Sequence, residues 1–186
     1  MRILGTRDAE LVLGRARRVE IEGWNIHARR QLRVASMRML LLDLEYEGGE
    51  PDFISVRKSE LEVEVTEAAI NEYLRDYQAR YDPEVRLAPD MVSVRMTYPF
   101  LGTPTPLQAS GRFVIREGRL LLFEAVTAEV PFLNQPGFAE RFVQDRVNPL
   151  LDLARIDFPA RLESVQVLEG RIRAHGSASV RRQIRD

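Results

Sequence analysis

The chain has 186 residues, 45% of them apolar, with 27 basic against 28 acidic side chains and a net charge of -1. That length supports one domain over residues 1–186, with an N-terminal arm over 1–14 and a basic tail over 181–186. The balanced charge excludes a strongly basic nucleic-acid binder and an acidic disordered tail. The absence of cysteine excludes disulfides, thiolate metal sites and cysteine nucleophiles.

No run approaches the roughly 20 apolar residues of a membrane-spanning helix. Met1–Arg18 interleaves Arg2, Arg7, Asp8, Glu10, Arg15, Arg17 and Arg18 with its apolar positions, which is not the pattern of an export signal. On these grounds the chain reads as cytoplasmic or peripheral to a membrane. Lys58 is the only lysine, so 26 of the 27 basic residues are arginine. Codon bias in a GC-rich genome and arginine-rich ion pairing both account for that choice.

Most of the chain alternates with period two, the mark of strands with one buried and one wet face. Val19 and Ile21 begin the first clear run. Leu32–Tyr46 is longer, with Leu40, Leu42 and Leu44 on one face and Met37, Met39 and Leu41 on the other. Gly48-Gly49 closes it, and Asp52 opens the next, where Leu61, Val63 and Val65 alternate with Glu60, Glu62 and Glu64. Thr66 is a helix N-cap, followed at helical spacing by Ile70, Tyr73, Leu74, Tyr77 and Tyr81 down to the stop at Asp82-Pro83.

From Val92 to Val130 the pattern predicts consecutive antiparallel strands joined at Pro99–Pro106 and at Glu117-Gly118, with no helix between Phe113 and Val126. A second helix is predicted from Pro136 to Leu153, capped by Asn134 and carrying Phe138, Phe142, Val143 and Val147, with Pro149 ending or kinking it. Glu169-Gly170 then separates Val165–Val167 from Ile172–Val180 as a hairpin whose turn echoes Glu117-Gly118.

Two proline-bracketed loops, 99–104 and 131–136, place Phe100, Leu101, Phe132 and Leu133 where polar residues are expected. These four side chains either plug an end of the core or form apolar tips that touch a membrane.

Recognisable catalytic chemistry is absent. His27 and His175 have no partner motif, and there is no Gly-x-Ser-x-Gly elbow, Ser-x-x-Lys or glycine-rich phosphate loop. Asp43 with Glu45, or Asp152 with Asp157, read more simply as solvated positions than as acid–base pairs. No catalytic, metal-binding or cofactor-binding residue is nominated. Arg15, Arg17, Arg18, Arg29, Arg30 and Arg33 cluster early, but Glu20, Glu22, Glu60, Glu62 and Glu64 on neighbouring strands oppose them. That argues against nucleic acid, and leaves cross-strand ion pairs or an anionic membrane surface as their use.

The segment Asn148-Pro149-Leu150-Leu151-Asp152-Leu153, followed by Leu162, Val165, Val167, Gly170, Ile172 and Gly176, resembles the C-terminal signature of the bacterial LmeA-like phospholipid-binding family. Thr66-Glu67-Ala68-Ala69-Ile70-Asn71 opening a helix and the Phe113–Val126 hairpin are similar in order, so the resemblance spans roughly Arg15 to Val180. It implies a curved antiparallel sheet around a long helix, similar to the tubular lipid-binding (TULIP-like) proteins, with phospholipid in an apolar interior and no catalytic residues. It also implies the cell envelope, although Met1–Arg18 does not read as the export signal or anchor that family members generally carry.

The expected fold is α+β: one strongly curved antiparallel sheet wrapped around the long Pro136–Leu153 helix, with a second, short helix over Thr66–Tyr81. The expected ligand is a phospholipid or another fatty-acyl chain in an elongated hydrophobic cavity. Leu40, Leu42, Val63, Phe113, Leu120 and Leu122 would line it from the strands, and Ile70, Leu74, Phe138, Phe142, Val147 and Leu151 from the helical segments. The alternative is a structural or interaction protein in which the second apolar face of Leu32–Tyr46 forms a homodimer and holds no ligand. A hydrolase of apolar esters would need a polar cluster inside the cavity, and none is legible.

Overall fold

The computed structural model describes residues 2–5, 14–27, 33–47, 52–100, 102–129, 137–153, 160–178 and 181–184. In chain order the strands are β1 (Arg2–Gly5), β2 (Arg15–Ile26), β3 (Val34–Glu47) and β4 (Asp52–Thr66). Helix α1 (Glu67–Gln78) follows, then β5 (Glu84–Ala88), β6 (Met91–Phe100), β7 (Thr103–Arg116) and β8 (Leu120–Glu129). Helix α2 (Phe138–Val147) precedes β9 (Leu151–Asp152), β10 (Ala160–Leu168), β11 (Arg171–Ala178) and β12 (Arg181–Ile184).

The strands divide between two antiparallel sheets. The first runs β1-β2-β3-β4-β11-β10, with β12 also pairing β4, and the second runs β5-β6-β7-β8-β9. The family resemblance implies a single, strongly curved sheet, and the structure corrects this: the described strands form two sheets, neither strongly curled. The division falls at α1. The chain leaves β4 there, and β4 takes β11 as its neighbour, while β5 turns to pair with β6.

Three main-chain and side-chain bonds explain why α1 begins at that boundary. Thr66 Oγ1 accepts from the Ala69 amide at 3.2 Å, the expected N-cap. One residue on, Glu67 Oε2 accepts from the Leu87 amide at 2.7 Å, and the Glu67 amide donates to the Gly170 carbonyl at 2.9 Å. The turn after β10 is thereby tied to the start of α1 and the end of β5. The helix gives way to a 3-10 turn at Ala79–Tyr81, and Pro83 follows as the expected stop.

Helix α2 is short. It ends at Val147 after 10 residues, about 15 Å at 1.5 Å per residue, where an 18-residue span to Leu153 was expected from its apolar spacing. Asn148 has extended angles (φ -92, ψ 146), and Pro149 has no amide hydrogen to continue the helix. The residues beyond serve as an edge strand instead. The amides of Leu150 and Leu153 donate to the carbonyls of Leu121 and Arg119, both at 3.0 Å.

The meander from β6 to β8 forms as expected, with Glu117 (φ 55) and Gly118 (φ 65) in its second turn. The first junction is tighter than the proline pattern suggested: Phe100 pairs with Thr103 and Pro99 with Pro104.

One cluster of buried side chains spans both sheets and both helices. It includes Val65 and Ile172 from the first sheet, Val92, Met96 and Phe123 from the second, Ile70 and Leu74 from α1, and Val143 and Val147 from α2. A smaller cluster, Met39, Leu41 and Leu61, lies on the same face of the first sheet.

Candidate functional site

Between the sheets the core leaves a gap of about 280 Å³. Native interiors hold few voids larger than a water molecule, so a space of this size is a feature to be explained. The first sheet contributes Met37, Leu61, Val63, Val65, Ile172 and Ala174, and the second contributes Val85, Val92, Val94, Phe113, Leu121 and Phe123. Ile70, Tyr73 and Leu74 of α1 and Val147 of α2 close it, with Leu150 and Leu153 beyond α2. Among the described lining residues the Tyr73 hydroxyl is the only side-chain oxygen or nitrogen, and none of them is charged.

Strand parity decides which residues reach this gap. Val63 sits opposite Met37 and Ala174, and Phe113 sits opposite Phe123, so these pairs share the inner face. Of the side chains selected from sequence, Val63, Ile70, Leu74, Phe113 and Val147 come together here. Leu40 and Leu42 lie on the outer face, where their cross-strand neighbours are Glu20 and Glu60, and Arg18 and Lys58. Leu120 and Leu122 are likewise out of register with the inner Leu121 and Phe123, opposite Arg116 and Val114. Phe142 packs beside the gap, its ring edge-on to Tyr98 at 4.7 Å between centroids.

The side chains of Phe138, Leu151 and Phe100 are outside the described residues, as are Leu101, Phe132 and Leu133 entirely. Of the residues that the sequence reading missed, Leu121 and Phe123 belong to a run apolar at successive positions, whereas Met37, between Ser36 and Arg38, and Ile172, between Arg171 and Arg173, carry an alternation that marks their inner face. Counting register outward from the Glu117-Gly118 turn finds Phe123 opposite Phe113.

The outer face of the first sheet has the opposite character. Arg38 Nη2 lies 2.8 Å from Glu22 Oε1, and its Nε lies 3.6 Å from Glu20 Oε1. The hydrogen bond that Arg38 donates to Glu22 leads in raising the guanidinium above its ordinary value. On the far side, Arg173 Nε and Nη2 both donate to Glu64 Oε1, at 2.9 and 2.7 Å, and Ser36 Oγ donates to Glu64 Oε2 at 3.5 Å. The hydrogen bond from Arg173 holds the Glu64 carboxyl below the usual carboxylate range, against a smaller opposing effect of burial. His175 Nδ1 lies 3.7 Å from Glu62. Arg15, Arg18 and Arg33 also meet carboxylates, on Glu45, Glu20 and Glu72. Arg29 and Arg30 lie outside the described residues.

Among the described residues no three His, Asp or Glu side chains are grouped so as to hold a metal ion. No described helix is long and apolar enough to cross a membrane.

Fold and site together define an α+β protein of two antiparallel sheets and two short helices, with an apolar gap between the sheets. A family model described as LmeA-like phospholipid-binding matches residues 4–177, and the chain belongs to that family. The chain matches no curated protein and no solved structure.

Proposed function

We propose that the protein binds a phospholipid or related amphiphile by taking acyl chain into the gap between its two sheets. The observation that carries this is the conjunction of a 280 Å³ space, lined almost entirely by apolar atoms, with membership of a phospholipid-binding family. Each methylene of a fitting chain buried there gains about 0.8 kcal/mol. Association costs of several kcal/mol are subtracted from the gain. The reading assigns no catalytic step: the described lining residues hold no charged side chain with which to begin one.

Within this reading Val63, Ile70, Leu74, Phe113 and Val147 contact the chain, joined by Met37, Phe123 and Ile172. Phe100, Leu101, Phe132 and Leu133 remain proposed membrane contacts. The homodimer alternative rested on a strand apolar on both faces. In the structure Leu40 and Leu42 stand among Arg18, Glu20, Lys58 and Glu60, whose aliphatic stems can cover them without a partner.

The test is mass spectrometry of organic extracts from purified protein. Phospholipid or fatty acid at a reproducible stoichiometry supports the proposal. Protein that carries no lipid and takes none up from vesicles overturns it.

A further inference from the structure

The size of the gap, read on the proposal that it holds acyl chain, limits what fits. An engineered apolar cavity of about 150 Å³ stays dry when empty and holds benzene, which is about 25 Å³ per carbon. On that scale the 280 Å³ between the sheets takes about eleven carbons. Two chains of membrane length carry several times that number.

The lining also says which end of the ligand enters. A phosphate or carboxylate drawn among Val65, Val92, Phe123 and Ile172 would be stripped of water with no charged partner, a cost no acyl contact repays. The charged head therefore stays outside and the tail goes in. Next to the lining residues Val34 and Tyr73, Arg33 and Glu72 already pair with each other at 3.2 Å.

We infer that the site takes one acyl chain to a depth of about eleven carbons, tail first, and selects by chain length with little regard to headgroup. The ligand class is a single-chain amphiphile, a fatty acid or lysophospholipid, in preference to a phospholipid bound by both chains. A diacyl lipid would leave its second chain outside and gain nothing from it.

The experiment is displacement of a fluorescent fatty acid from the delipidated full chain by saturated fatty acids of eight to eighteen carbons. Lysophosphatidylglycerol and diacyl phosphatidylglycerol of matched chains are run in parallel. Affinity is expected to rise about fourfold per methylene up to about eleven carbons and then level off. The lysolipid is expected to compete at least as well as its diacyl counterpart.

Ala174→Leu adds three carbons to the lining and is expected to move the break about three carbons shorter. Leu122→Arg, on the outer face, is expected to leave the break in place, and circular dichroism confirms that both variants are folded. Affinity that climbs without a break to eighteen carbons, or that favours the diacyl lipid, overturns this inference and leaves the proposed function standing. Failure of every chain to displace the probe, or of the probe to bind, overturns both.

Discussion

Asn148 stands in for a strand residue beside Phe123. Its Oδ1 accepts from the Phe123 amide at 2.7 Å and its Nδ2 donates to the Phe123 carbonyl at 2.8 Å. The side chain thus continues the edge of β8 where β9, which pairs only with Leu120 and Leu121, has run out. On the opposite edge Asn71 of α1 bonds the amide and carbonyl of Val85 at 2.7 and 2.8 Å. Each helix is fastened to one edge of the second sheet, and between those fastenings lies the gap.

Replacing Asn148 by Ala leaves both main-chain groups of Phe123 without that partner in a partly buried setting. The expected loss is about 2 kcal/mol of unfolding free energy, measured by urea denaturation. Asn148→Asp keeps the acceptor and loses the donor, so an intermediate loss is expected. A change below about 0.5 kcal/mol in the alanine variant would show that the edge does not need the bond.

Acid should weaken the outer ladder through Glu64. Its carboxyl is held below the ordinary glutamate value of about 4.3. A carboxyl of lowered pKa contributes stability above its unfolded value, and the contribution is lost as pH falls through the folded one. The melting temperature of Glu64→Gln is therefore expected to lie below wild type at pH 7, with the gap closing as pH falls below the ordinary glutamate value of about 4.3. A gap that stays constant with pH would assign the effect to packing and not to charge.

Two glycines are required by close approach of the neighbouring strand. A Cβ at Gly111 would overlap the Glu124 carbonyl oxygen, and one at Gly176 the Arg161 carbonyl oxygen. Both sit beside register shifts, at Ser110/Gly111 and at Leu162/Ser164. Gly111→Ala and Gly176→Ala are each expected to cost about 1–3 kcal/mol by denaturant titration. Gly102→Ala should be milder, because nothing lies near its Cβ position and only its positive φ (84°) resists the change.

Strand parity separates binding from stability. Leu122→Ser and Leu40→Ser, on outer faces, are expected to change unfolding free energy by about 1 kcal/mol or less and to leave fatty-acid displacement unchanged. Val63→Ser, on the inner face, is expected to weaken displacement. Loss of binding in the outer-face variants alone would put the ligand on the wrong side of the sheets for this account.

Where one face of a strand is polar, the sequence already shows which side is inside. Leu61, Val63 and Val65, and likewise Val92, Val94 and Met96, point where their alternation with charged or hydroxyl residues requires. Thr66 announced α1 through its side-chain cap. The runs Met39–Leu42 and Leu120–Phe123 are apolar at successive positions, so their own periodicity is silent about their inner face. Long-range register settles it, by placing Met37 against Val63 and Leu40 against Glu60. The division into two sheets was also hidden, because it depends on β4 choosing β11 from the far end of the chain. Helix α2 was overextended because Leu150 and Leu153 keep an apolar spacing past Pro149 while serving an edge strand and the gap.

The most direct test of the binding site is photo-crosslinking with a fatty acid that carries a diazirine near its methyl end, followed by peptide mapping. Label is expected on inner-face residues, above all Val63, Ile70, Phe123 and Ile172, and competition with unlabelled fatty acid should remove it. Competed label confined to Leu40, Leu42, Leu120 or Leu122, or no competed label at all, would contradict an acyl site between the sheets.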